Sequence, residues 1–99
     1  MVMTILEANV DQRNWRKLED VYATEVKILD PGIIQTFLAQ SKADENNWRI
    51  ITLWESMEKL MLMRQSGETP RGVLMFRSVN AEPNLSVYMI VSQAVNPAA

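Results

Sequence analysis

The side chains open to chemistry in this 99-residue chain are carboxylates, amides, hydroxyls and tryptophans, because it contains no histidine and no cysteine. Imidazole is the usual general base and the commonest transition-metal ligand, so histidine triads and histidine–zinc sites are excluded. No thiolate is available as nucleophile or ligand, and no disulfide framework can form. Glu7 and Asn9 alternate at the end of an apolar run and therefore share one side of a strand. A desolvated carboxylate on a helix-covered face is a better base, which makes Glu7 a candidate for proton abstraction; the competing reading pairs it with Arg or Lys at a wetter rim. Ser56-Met57-Glu58-Lys59 has the spacing of an S-x-x-K nucleophile motif, yet the companion S-D-N and K-T-G motifs are missing, and a serine opening a helix already has a capping role. With three glycines in all and no phosphate loop or dinucleotide fingerprint, no nucleotide site is expected. Asp44-Glu45 reads as a solvated hairpin tip rather than a metal site. The expectation is a site with neither metal nor cofactor.

The elements that must position these groups follow from the spacing of apolar residues. Val2 to Val10 reads as a first strand. Asp11 can cap a helix whose face is Trp15, Leu18, Tyr22, Val26 and Leu29, and Asp30-Pro31-Gly32 ends it in a turn. Ile33 to Ser41 and Trp48 to Glu55 flank the polar stretch Lys42 to Asn47 and form a hairpin. Ser56 can cap a second helix through Met57, Leu60, Met61, Met63 and Arg64, ending at Gly67. A new start at Thr69-Pro70 breaks this second helix, and its later segment runs from Pro70 to about Val79 with Val73, Leu74, Phe76 and Val79 as its apolar side. Leu85 to Val95, centred on Tyr88, is the last strand, and Asn96 to Ala99 a frayed tail. The order strand, helix, strand, strand, helix, strand is the split βαβ pattern of an α+β, ferredoxin-like domain with an antiparallel sheet, spanning residues 1–99 as one domain. In the third strand Trp48, Ile50, Thr52 and Trp54 share one face, and Arg49, Ile51, Leu53 and Glu55 the other. Large apolar groups on both faces imply that helices cover one and a second copy of the chain covers the other, so a homodimer is expected.

Ten basic against twelve acidic residues give a formal charge of −2, with the basic residues scattered, which argues against nucleic acid as a partner. No run approaches the ~18 apolar residues of a spanning helix, and the start Met1-Val2-Met3-Thr4 lacks a basic signal region; no membrane partner and a cytoplasmic location are the expectations.

The run Trp48-Arg49-Ile50-Ile51-Thr52-Leu53-Trp54-Glu55-Ser56, followed by Glu58 and Leu60, resembles the strand and helix start of antibiotic biosynthesis monooxygenases. The Pro31-Gly32 turn, Ser66-Gly67, Glu82-Pro83 and the Val87 to Val91 strand extend the resemblance over nearly the whole chain. It implies a dimeric α/β barrel with a pocket in each subunit between sheet and helices. That family includes cofactor-free oxygenases of polycyclic quinols and haem-degrading enzymes. The haem-degrading branch uses an Asn late in strand one, a Trp at the end of strand three and a His on the later helix; Asn9 and Trp54 match the first two, and Val73 stands where the His would be. Haem oxygenation is therefore not expected. The cofactor-free branch holds a phenolate-like substrate beside dioxygen, and among Asn9, Trp54, Arg49 and Tyr88 the resemblance supports Asn9 and Trp54. Trp54 would stack on an aromatic ligand, or would simply fill core. Asn9 would hydrogen-bond a substrate oxygen, or would be a strand-end turn residue. Arg49, on the face opposite Trp54, is expected to serve the dimer side. Met57, Met61 and Met63 would line an adaptable pocket or fill core. The leading expectation is a cofactor-independent monooxygenase of a small aromatic quinol, with Asn9 and Trp54 at the site and Glu7 as base. The alternative is a noncatalytic homodimer that binds a small molecule or presents a surface.

Overall fold

Asp11, Pro31-Gly32, Ser56 and Gly67 divide the chain into elements that each bury one face, and a computed structural model describing residues 1–98 shows how those faces meet. The strands are β1 (Val2–Asn9), β2 (Ile33–Gln40), β3 (Asn47–Trp54) and β4 (Asn84–Met89); the helices are α1 (Trp15–Glu25), α2 (Met57–Gln65) and α3 (Arg71–Arg77). They build an antiparallel four-stranded sheet in the order β2-β3-β1-β4, the α+β ferredoxin-like arrangement. Among the described residues no helix is long and apolar enough to cross a membrane.

Alternation puts Val2, Thr4, Leu6 and Ala8 of β1, and Trp48, Ile50, Thr52 and Trp54 of β3, on the helix-covered face. Two packed clusters hold the helices there. One gathers Leu18, Trp48, Ile50, Met75, Phe76 and Val79; the other, at the opposite end of the sheet, joins Val2, Trp54 and Leu60. The reverse face carries Met3, Ile5, Phe37, Ile51, Leu53 and Tyr88, placed there by the strand register, and among the described residues no helix packs on it.

The caps act as their residue types dictate. Asp11 accepts from the Arg13 N–H at 3.1 Å, opening a 3-10 turn (Gln12–Asn14) ahead of α1, and Ser56 accepts from Lys59 N–H at 3.2 Å to start α2. Gly32 has φ +94°, and a Cβ there would stand 2.5 Å from Lys59 Cβ, so this turn requires glycine for both backbone and packing.

Two expected boundaries and one buried face differ. Helix α1 stops at Glu25 rather than Leu29, because two β-branched residues, Val26 and Ile28, follow, and Pro31 disfavours helical backbone at Asp30. In α3 the buried residues are Met75 and Phe76, with Val79 buried just beyond its end, while Leu74 is 51% exposed; Gly72 is the residue that approaches Leu6 of the sheet closely. The last strand ends at Met89, not Val95. Its neighbour in the sheet, β1, runs out there, and the bond from Ile90 N–H to the Met1 carbonyl (3.1 Å) is the final rung. Val91 is consequently 94% exposed. In the expected tail Asn96 Oδ1 accepts from Ala98 N–H at 3.0 Å, and Ala99 lies outside the described residues.

Candidate functional site

A cavity of about 230 Å³ opens between the two core clusters, bounded by the helix-covered sheet face, the end of α1, and the break between α2 and α3. The break is written in sequence: Gly67 (φ +77°) ends α2, and Pro70, which cannot donate a backbone hydrogen bond, stands at the start of α3. Met63 and Arg64 of the last turn of α2, and Pro70 to Val73 of the first turn of α3, therefore face open space rather than each other's packing.

The floor is a row of three threonines. Register sets Thr4 opposite Thr52 and Thr52 opposite Thr36, so β1, β3 and β2 each present a hydroxyl in line across the sheet. Thr36 and Thr52 Oγ1 are 3.4 Å apart, and the Tyr22 hydroxyl, reaching down from α1, donates to Thr36 Oγ1 at 3.4 Å. At the other end of the row Trp54 Nε1 donates to Thr4 Oγ1 at 3.1 Å in a buried position. That bond satisfies the indole N–H and fixes the ring as a wall of the cavity. Leu6, Ile33, Ile50, Leu60 and Met75 supply the apolar remainder. Such a chamber suits a flat ring with oxygen substituents: the ring takes the apolar walls and the oxygens take the hydroxyls.

The rim is charged. Arg77 grips Glu82 with two hydrogen bonds, Nε to Oε2 at 3.0 Å and Nη2 to Oε1 at 2.8 Å. Those bonds are the main reason that the Glu82 pKa is lowered, against desolvation and with a smaller contribution from the guanidinium charge, and that the Arg77 pKa is raised, with help from the carboxylate charge. Arg71 donates to the Ile28 carbonyl at 2.6 Å and pairs with Asp30 at 3.4 Å, tying the start of α3 to the α1–β2 loop.

Of the residues expected at the site, Trp54 lines the cavity, and Glu7 and Asn9 do not meet it. Both lie on the sheet face turned away from the helices, since β1 directs its even-numbered residues inward. Glu7 there binds Arg49, its cross-strand partner, with Nη2 to Oε2 at 2.6 Å, and Asn9 is exposed at the strand end beside Asn47. The expectation of a helix-covered Glu7 is thus corrected. Arg49 and Tyr88 share that outer face, as expected for Arg49. Met63 lines the cavity, Met57 packs against the Val2–Trp54–Leu60 cluster, and Met61 is exposed. The threonine row and Tyr22 went unrecognised. Their signal was a hydroxyl at an inward position in each of three strands, visible only once register is known.

The donors do not fit a haem-degrading site. Val73 lines the cavity, and no imidazole exists in the chain to ligate iron.

A family model described as antibiotic biosynthesis monooxygenase matches residues 1–73. No curated protein matches the chain in sequence. Solved structures share the fold at low identity. A cofactor-independent oxygenase from Streptomyces nogalater, SnoaB, superposes with a TM-score of 0.71 at 16% identity, covering 93% of this chain and 94% of that one. A mutant of MhuD with two manganese protoporphyrin IX molecules per active site gives 0.72 at 17%, covering 97% and 100%. A conserved protein from Methanosarcina mazei gives 0.67 at 11%, covering 88% and 89%.

Proposed function

Because the chain belongs to the antibiotic biosynthesis monooxygenase family, we propose that its cavity is the active site of a cofactor-independent monooxygenase acting on a small, electron-rich aromatic ring of the quinol type. The observation that carries this reading is the threonine row beneath an apolar chamber walled by Trp54. Deprotonation of a phenolic or ring CH₂ group leaves an anion that donates electrons directly to dioxygen. One oxygen atom becomes a new ring carbonyl, and the other leaves as water with two hydrogens of the substrate, which is itself the reductant. The protein's part is to hold the ring against Trp54, to hydrogen-bond the phenolate oxygen through the threonine row, into which Tyr22 donates at Thr36, and to keep water out. The proton goes to Glu25, one helical turn after Tyr22. It is a carboxylate lining the cavity without a cation partner among the described residues, whereas Asp30 and Glu82 are held by arginines.

A homodimer belongs to the same reading. The outer sheet face, with Ile5, Phe37, Ile51 and Tyr88 across four strands, is the surface that a second copy would cover, with the Glu7–Arg49 pair at its side.

Oxygen uptake with a panel of naphthalene and anthracene quinols tests the reaction. The expected result is stoichiometric consumption that falls at least ~tenfold in Thr52→Val. A ligand retained in native mass spectrometry without any oxygen uptake would instead identify a binding protein, and wild-type turnover in a folded Thr36→Val, Thr52→Val, Trp54→Ala variant would remove the site assignment.

A further inference from the structure

We infer that the ring substrate carries a carboxylate and that Arg64 is the residue that recognises it, an inference resting on the cavity's reading as an aromatic site. Three arginines line the cavity, and two are committed: Arg77 to Glu82 through a bidentate pair, Arg71 to Asp30 and the Ile28 carbonyl. Arg64 has no carboxylate partner among the described residues. It stands on the last turn of α2, next to Met63, where the helix break opens the chamber. A guanidinium at the edge of an apolar chamber is complemented by an anion, and its planar fork takes a carboxylate through two parallel N–H···O bonds.

The cavity is then polarised along its length. The acid lies at the α2 end on Arg64, the ring lies against Trp54 and Met63, and the phenolic oxygens lie over the threonine row. Glu25 faces the same chamber from the end of α1, and its charge opposes a bound anion. The two residues must therefore act on acid affinity with opposite sign. Arg64 also complements the dipole at the end of α2. That role would alter helix stability and leave the preference between an acid and its neutral analogue untouched.

Calorimetric titration without dioxygen, using hydroxynaphthoate and the matching neutral carboxamide, provides the test. Wild-type protein should bind the acid about tenfold more tightly than the amide. Arg64→Gln should weaken the acid to the level of the amide and leave the amide unchanged, Arg64→Lys should keep part of the preference, and Glu25→Gln should strengthen acid binding. Equal affinities in the wild type, or equal weakening of both ligands by Arg64→Gln, would overturn the assignment. Amide binding without acid preference removes the role of Arg64 alone, whereas failure of both ligands to bind removes the aromatic cavity with it.

Discussion

Trp54 is at once core and site: it packs on Val2 and Leu60, and its N–H is held by Thr4. Trp54→Phe keeps most of the packing but leaves the Thr4 hydroxyl without its donor, and should cost about 1–3 kcal/mol in denaturant unfolding. Trp54→Ala should cost more, about 3–5 kcal/mol, because a cavity is added to the lost contact. Glu82 supplies a pH test. Arg77 lowers its folded-state pKa, so the pair's stabilisation is complete above the unfolded carboxylate pKa and is lost as pH falls through the lower folded value. Glu82→Gln should therefore lower Tm at neutral pH and converge with the wild type in acid, as measured by thermal melts across pH. At this scale the lining of the cavity was legible in part. Trp54, named from the resemblance at the end of the third strand, does line the cavity. Glu7 and Asn9 misled because Met3 and Ile5 on one side of β1 are as apolar as Val2 and Leu6 on the other, so alternation names two faces without saying which one the helices cover.

Elements were more legible than the residues they position, because caps and turns are local. The Asp11 and Ser56 caps, the β2–β3 hairpin and the Gly67–Pro70 break depend on neighbours within a few residues. The end of β4 does not, since it depends on where a different strand stops. Nor does the threonine row, which exists only through the pairing of β1, β3 and β2. Two glycines test the joints. Gly32→Ala forces a side chain into left-handed backbone and against Lys59 Cβ, and should destabilise by about 1–3 kcal/mol in urea titration. Gly72→Ala places a Cβ 2.6 Å from the flexible end of Leu6, and both residues line the cavity. Gain in helix propensity, about 1 kcal/mol, offsets much of that crowding. The expected outcome is near-native stability with weakened binding of the carboxamide probe in calorimetry.

For the whole molecule, the fold leaves one sheet face covered and one bare, and the proposed dimer follows from that asymmetry. Sedimentation equilibrium should give about twice the 11.4 kDa chain mass, and a charge placed at the centre of the bare face, Ile51→Glu, should return the monomer. The distribution of the three tryptophans has an optical consequence. Trp15 and Trp48 lie with ring centroids 6.0 Å apart and planes tilted by 59° in the main core cluster, whereas Trp54 stands apart at the cavity. The coupled pair should dominate the near-ultraviolet circular dichroism and follow folding, while quenching of Trp54 emission follows occupancy. One unlabelled sample then carries two independent signals, so a variant that has lost its ligand is told apart from one that has lost its core within a single titration.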